Sequence, residues 1–286
     1  MNSRKRVAVI TCSVLPEPDP DEEILLEAIA ASGRQVDLVP WDDPQADPAE
    51  YDLCVLRSCW DYPWAPDRFG QWLTKAASRA VLMNPAPVVE WNLHKGYLRE
   101  LESAGVPIIP SIWLERGSEA DISGLTAGNG WEELVIKPAI GAGSYLTKRF
   151  GRSEFSGEAQ AFLDAELVQR DMLVQRFMPS VETRGERALV WIDGEFTHQV
   201  LKQPRYHGQD EAVSDALQPD EADLSLARKA MECVGGDLLY ARVDIIDGDG
   251  GEPLLSELEL IEPSLFLLQH APALDRLVAA IDRRLA

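Results

Sequence analysis

The segment Tyr240-Ala-Arg242-Val-Asp244-Ile-Ile-Asp-Gly-Asp-Gly-Gly-Glu-Pro-Leu-Leu-Ser-Glu257-Leu-Glu259-Leu constrains this chain more than any other. Two stretches of alternating residues flank a Gly/Asp turn, the pattern of a β-hairpin. Residues two apart on a strand share a face, so Arg242 and Asp244 face one way, as do Glu257 and Glu259, with Val243, Leu258 and Leu260 behind them. A turn centred near Gly250 and Gly251 sets Asp244 across from Glu257 and Arg242 across from Glu259. Three carboxylates gathered on a partly buried face repel one another and call for a cation. Hard oxygen donors suit Mg²⁺ or Mn²⁺, so Asp244, Glu257 and Glu259 are candidate metal ligands. The same pattern also fits a solvated face on which Arg242 merely pairs an acid, and a one-residue slip of register would scatter the cluster. The turn itself lacks the ligand spacing of an EF-hand loop.

Ahead of the hairpin, residues 6–12, 35–40 and 51–56 read as strands and 22–31 and 68–77 as helices, the order of an open parallel α/β unit. Pro/Asp-rich connectors fill 16–21 and 42–49. The composition breaks at Asn84-Pro85-Ala86-Pro87, and a helix is predicted over 90–103, stopped by Gly105 and Pro107. A domain boundary fits there, giving an N-terminal α/β domain over residues 1–91. From 134 onward, strands at 134–137, 172–177, 187–192 and 196–202 are separated by no long helix except at 156–166, which is α+β in character and predicts antiparallel sheet. Residues 206–222 are polar, acidic and aperiodic, a loop that is either mobile or poorly ordered. Strands at 238–246 and 253–261 and a helix over 272–285 complete the chain, which has no internal repeat.

Charge narrows the function classes. A formal net charge of −21 with no Lys/Arg-rich run argues against nucleic acid as a partner, although a few placed cations could still hold a nucleotide. No apolar stretch is long enough to span a bilayer, and the run after Arg4-Lys5-Arg6 is too short for a signal peptide, so no membrane partner and a cytoplasmic location are expected. Cys12, Cys54, Cys59 and Cys233 show no metal spacing and are read as buried free thiols. The sequence leaves a homodimer open.

A short apolar strand ends in Lys137 and runs into the small-residue loop Gly141-Ala142-Gly143-Ser144, which could turn backbone N–H groups toward one anion while the lysine adds a point charge. An ordinary strand-to-turn junction reads the same way, and neither a Walker motif nor a full GxGxxG is present. Lys95, in Asn92-Leu-His-Lys95, could stand beside an anion near a helix start; His94 is read as a surface or packing histidine. Gln175-Arg176-Phe177-Met178 runs from a buried strand into a linker whose backbone could meet an adenine edge. The charges of Glu182, Arg184, Glu186, Arg187, Lys202 and Arg205 are mostly expected on solvated faces.

Taken in order, these pieces resemble the ATP-grasp superfamily, and more closely the glutathione synthetase-like branch that includes D-cycloserine synthetase. The resemblance runs from about residue 5 to the C-terminus and is carried by Val135-Ile-Lys137-Pro-Ala-Ile-Gly-Ala-Gly-Ser144, Val174-Gln-Arg-Phe-Met178 with Gly185-Glu186-Arg187, and Arg242-Val-Asp244 with Glu257-Leu-Glu259-Leu-Ile-Glu-Pro-Ser264. It implies an α/β and α+β architecture: an N-terminal open parallel α/β domain, then two α+β subdomains, at 92–178 and 179–286, enclosing ATP. It implies that Lys95 and Lys137 bind the nucleotide, that Gly141, Ala142, Gly143 and Ser144 close over phosphates, that Gln175, Arg176, Phe177 and Met178 form the adenine hinge, and that Glu182 contacts ribose. Asp244, Glu257 and Glu259 fall at the family's Mg²⁺ positions, and Lys202, Arg205 and Arg242 at catalytic ones. The implied chemistry is ATP-dependent activation of a carboxylate as an acylphosphate, then attack by an amine-type nucleophile to form an amide or close a ring. After Lys202 the sequence reads Gln-Pro-Arg205-Tyr-His rather than the Gly-Asp-Phe-Arg of cyclising relatives, so a nucleotide-binding protein without turnover stands as the alternative.

On the substrate side, Arg57, Ser58, Trp60 and Asp61 sit at the carboxyl end of a strand, where open α/β sheets bind ligands. Arg57 could take the carboxylate of a small amino-acid-like substrate. A loop anchored by Trp60 packing is the other reading. No glycine fingerprint follows the first strand, which disfavours a dinucleotide oxidoreductase.

Overall fold

The computed structural model describes residues 5–203 and 212–286. The N-terminal segment forms β1 (Arg6–Thr11), α1 (Glu22–Ala31), β2 (Gln35–Pro40), β3 (Leu53–Ser58), α2 (Pro66–Ala77) and β4 (Leu82–Met83). Its four strands are parallel in the order β2-β1-β3-β4. Because side chains alternate along a strand, Val7, Val9, Leu53 and Val55 face Leu25 and Ile29 of α1, while Ala8, Ile10, Cys54 and Leu56 face Phe69 and Leu73 of α2. A sheet covered on both faces explains why β3 is buried at every position.

The predicted helix over 90–103 is two helices, α3 (Ala86–Leu93) and α4 (Tyr97–Ser103). The break falls at His94-Lys95-Gly96. There the Gly96 N–H donates to His94 Nδ1 and the Lys95 N–H to the Ala139 carbonyl, so the backbone leaves the helical ladder for partners outside it.

A second sheet holds β5 (Ser111–Leu114), β6 (Glu133–Pro138), β7 (Lys148–Gly151) and β8 (Met172–Arg176), antiparallel in the order β5-β8-β6-β7. Short α5 (Ile122–Thr126) and α6 (Gln160–Leu167) cover one face, where Leu134, Ile136, Met172 and Val174 meet Leu163 and Leu167. After a single turn, α7 (Ser180–Thr183), comes a third antiparallel sheet: β9 (Glu186–Ile192), β10 (Glu195–Lys202), β11 (Tyr240–Asp247) and β12 (Pro253–Glu259), ordered β10-β9-β11-β12. One of its faces packs on α8 (Glu221–Glu232) through Leu189, Val243, Ile245 and Leu258. Part of the other meets α1 and α9 (Ala271–Arg284) through Ala188, Val190 and Val200.

The expectation of a loose loop over 206–222 is corrected where the structure describes it. Leu217 pairs with Gln199 and Val213 with Lys202, which lays this stretch along the edge of β10. The helix that follows, α8, was not predicted from the sequence. Asp220 caps it by accepting from the Asp223 N–H, Glu221 and Asp223 occupy the positive end of the helix dipole, and Leu226, Ala227 and Ala230 are its buried stripe. Arg187, expected on a solvated face, is 4% exposed and binds Asp223 at 2.5 and 2.9 Å and Asp247 at 2.8 Å. Three of the cysteines are buried, but Cys233 is exposed. No helix among the described residues is long and apolar enough to cross a membrane.

Candidate active site

The hairpin has the register its sequence dictates. Arg242 lies opposite Glu259 and Asp244 opposite Glu257. Just beyond them the pairing jumps so that Ile245 faces Leu255, leaving Ser256 as the extra residue of a bulge. Bulges bend and twist a strand and so re-aim its side chains. On the other side of β11, Ala188 faces Asp244, and on β10 Lys202 faces Glu186. Alternation therefore delivers Lys202, Glu186, Arg242, Asp244, Glu257 and Glu259 to one face of the sheet.

That face is the floor of a cleft of about 390 Å³, within the size range of small-molecule sites. The second sheet supplies the opposite wall. Lys137 ends β6 on the side away from the α6 core, and Lys95 enters from the break between α3 and α4. Both reach the same carboxylate: Lys137 Nζ lies 2.7 Å from Glu257 Oε1 and Lys95 Nζ 3.1 Å from Oε2. Burial alone would raise the Glu257 carboxyl, but Lys137 and Lys95 hold it well below the usual carboxylate range. Burial likewise lowers Lys95, and Glu257 more than reverses it.

Asp244 was expected to be a metal ligand, and its oxygens are otherwise engaged. Arg242 Nε and Nη2 each donate to it at 2.8 Å, and Lys202 Nζ donates at 3.0 Å. Lys202 also pairs with Glu186 at 2.9 Å, and Arg242 with Glu259. The three carboxylates thus share a face, but each is neutralised by bases, and among the described residues no three acidic, His or Cys side chains converge tightly enough to hold an ion unaided. Burial raises Glu259, as does the nearby Asp244 charge, against the pull of Arg242.

Gly141, Ala142, Gly143 and Ser144 all border the cleft. Gly143 and Ser144 both have left-handed backbone, with φ of 56° and 60°, which makes a sharp turn in the loop. Lys95 Nζ also donates to the Gly141 carbonyl at 3.1 Å, tying the loop to the floor. At the far end Gln175, Arg176, Phe177 and Met178 line the cleft, and Met178 packs with Ile109 and Ile246 into a small apolar patch. Of the linker N–H groups, those of Arg176 and Phe177 are already committed, to Pro110 and Glu133. Glu182 stands outside the lining residues and accepts from Arg149 at 2.6 Å, while the Arg149 guanidinium also covers the Phe177 ring. Arg205 lies outside the described residues.

The structure places most of the substrate-side residues away from the cleft. Arg57 is 1% exposed, donates to the Pro263 carbonyl at 2.6 Å, and lies 3.8 Å from Asp21. Ser58 donates to Thr11, and Asp61 accepts from Trp41. Only Trp60 of the four borders the cleft, with its Nε1 donating to the Glu262 carbonyl at 2.9 Å. The carboxyl end of β3 is covered by the 261–264 segment, and Arg57 and Trp60 serve that contact.

Sequence reasoning missed Glu262, which borders the cleft at 8% exposure. Burial, reinforced by Glu259, pushes its carboxyl up to about 8. Its only signal was an acid following directly on a buried β-strand. Glu186 was seen but placed on a solvated face.

Comparison with known proteins agrees along the whole length. The family model of the D-cycloserine synthetase DcsG N-terminal domain matches residues 7–84. The cycloserine biosynthesis protein DcsG of Streptomyces lavendulae is 29% identical over 294 residues, covering 98% of this chain and 98% of its own. The glutathione synthetase of Prochlorococcus marinus (strain MIT 9313) is 27% identical over 221 residues, 73% of this chain and 67% of its own. The crystal structure of D-cycloserine synthetase DcsG superposes with a TM-score of 0.90 at 28% identity, covering 98% of this chain and 100% of that one. The Bacillus anthracis D-alanine–D-alanine ligase complexed with ATP superposes with a TM-score of 0.65 at 13% identity over 98% and 97%, a likeness of fold alone.

Proposed function

We propose that this chain, similar along its whole length to the cycloserine biosynthesis protein DcsG, is an ATP-grasp ligase that activates the carboxylate of an amino-acid-like substrate as an acylphosphate and passes the acyl group to an amine-type nucleophile. The observation that carries this reading is the convergence of Lys95 and Lys137, from two separate segments, on Glu257 at the floor of a closed-sided cleft. Lysines so placed are aimed before a ligand arrives, and phosphoryl transfer asks mainly for positioning and charge neutralisation.

Each wall has a separate task. Met178, Ile109 and Ile246 offer an apolar seat for a base ring, Lys95 and Lys137 meet phosphate oxygens, and the 141–144 loop covers them from water. A substrate carboxylate oxygen attacks the γ-phosphorus and ADP leaves. The nucleophile's nitrogen then attacks the acyl carbon, phosphate departs, and the nitrogen gives up a proton. Arg242, fixed by both oxygens of Asp244, and Lys202, fixed by Asp244 and Glu186, present positive charge where the transferred group passes.

Magnesium fits this donor set. It is usually held by one or two carboxylates together with phosphate oxygens and waters rather than by an all-protein cage. Glu257 and Glu259 are the acids that would hold it, and when bound it would neutralise charge on the polyphosphate.

The test is amino-acid-dependent ADP release from ATP, with hydroxylamine present to trap an acylphosphate as a coloured hydroxamate. A panel of D- and L-amino acids should yield both products from at least one member. ATP binding without either product would leave a nucleotide-binding protein without turnover and reject the ligase mechanism.

A further inference from the structure

The segment after β12 is held in an unusual way. Its four consecutive carbonyls each meet a side chain from elsewhere in the fold. The Tyr240 hydroxyl, shared with Leu56, lies 2.8 Å from the Ile261 oxygen. Trp60 Nε1 donates to Glu262 at 2.9 Å, Arg57 Nη1 to Pro263 at 2.6 Å and, more weakly, Arg242 Nη1 to Ser264 at 3.4 Å. Two of these donors come from the end of β3 and two from β11, so both the first and third sheets fix this backbone. Buried arginine and tyrosine spent on a short irregular segment hold it to one conformation.

What that conformation presents is the Glu262 side chain. It is more than nine-tenths buried and borders the cleft. No other side chain among the described residues donates to its carboxyl or pairs with it. The neighbouring bases are spoken for: Lys95 by Glu257 and Gly141, Arg242 by Asp244 and Glu259. Glu257, Asp244, Glu259 and Glu186 all have basic partners, and Glu262 alone among these cleft acids has none. A largely buried carboxyl with no basic partner is costly to ionise unless that partner arrives with the ligand.

We propose that Glu262 is the subsite for the amino group of the substrate, accepting hydrogen bonds from its ammonium nitrogen, with the segment pinned by Arg57, Trp60, Tyr240 and Arg242 setting its position. The proposal rests on the ligase reading above and gives it a substrate class: acids that carry an amine, in preference to hydroxy acids and unsubstituted acids of the same shape. A site built to hydrogen-bond one group rejects analogues lacking it, because its own polar atom is then left buried and unmatched. Arg57 and Trp60 accordingly act on the substrate through Glu262 as positioning residues.

The experiment is calorimetry on the full chain with Mg²⁺ and a non-hydrolysable ATP analogue, using alanine and serine of both hands as probes against lactate, glycerate and propionate. The native protein should bind at least one amino acid ~10-fold or more tightly than its amine-free counterpart. Glu262→Gln, which keeps the shape and removes a group that can become a carboxylate opposite an ammonium, should reduce that preference to about twofold or less. Trp60→Phe, which removes one pin, should weaken it in part. Discrimination that survives Glu262→Gln, equal binding of both classes by the native protein, or no amino acid binding while the analogue binds would each overturn the proposal. Loss of Mg²⁺-dependent analogue binding in Glu262→Gln would also overturn it, by assigning the carboxyl to the metal. Failure of the native protein to bind the analogue at all would instead reject the ligase reading, and this proposal with it.

Discussion

Lys137→Ala removes one of the two bases that hold Glu257, and its consequences can be worked from the contact at 2.7 Å. A charge-assisted hydrogen bond to a phosphate oxygen contributes about 1.5–3 kcal/mol, and about 1.4 kcal/mol is tenfold in affinity. In the free protein the lysine already has a partner, so binding exchanges one contact for another and the net loss falls near the lower figure. ATP affinity should therefore weaken about tenfold without Mg²⁺. With Mg²⁺ present, Glu257 has a replacement cation, the lysine is released at less cost, and the variant's deficit should grow toward about a hundredfold. Stability should change as well. Glu257 is held below its unfolded value, so it stabilises the fold above about pH 4–5 and that contribution disappears as the pH falls through the folded value. Without Lys137 the depression shrinks. The variant should be about 1–3 kcal/mol less stable than the native protein at pH 7, with the gap closing below about pH 4. Titration calorimetry with and without Mg²⁺ measures the first effect and denaturant melts at several pH values the second. Unchanged ATP affinity under both conditions would refute the assignment of Lys137 to the phosphates.

Three further outcomes are expected. Glu257→Gln should abolish metal-dependent nucleotide binding or turnover while the circular dichroism spectrum and cooperative melt persist; normal activity would sink the metal assignment. Asp223→Ala strips the buried Arg187 of its two-pronged partner and loosens α8 from the third sheet, at about 3–5 kcal/mol in a urea melt, and a loss below about 1 kcal/mol would show that Asp247 alone suffices. Glu262, raised to about 8 by burial, binds its proton more tightly folded than unfolded, so native stability should fall as pH rises from about 5 toward 9, by up to a few kcal/mol. Glu262→Gln should flatten that decline, and parallel pH profiles for the two proteins would contradict a partnerless carboxyl.

By itself, the sequence determined what depends on period and local chemistry. Alternation set which hairpin residues share a face, and the Gly/Asp turn set Arg242 against Glu259 and Asp244 against Glu257, because a strand has only two faces and a short turn leaves little choice of register. Strand and helix order made the parallel N-terminal unit and the antiparallel character of the later strands legible, whereas the short strands β4, β5 and β7, which lie at sheet edges, were not read from the sequence. Only the tertiary structure decided which charges are paired. Local sequence could not place Lys95 and Lys137 on one carboxylate, since Lys95 reaches it through a helix break anchored on Ala139. Nor could it show that Arg57, which looks like a ligand-binding arginine at a strand end, is buried and donates to the carbonyl of Pro263, 206 residues away. The helix α8 carried local signals, an Asp220 cap and apolar residues at 226, 227 and 230, and was nonetheless not predicted from the sequence. Glu262 follows the same logic. A carboxyl becomes a candidate ligand group when burial removes its water and no neighbouring base replaces it, and both conditions belong to the packed molecule rather than to the chain.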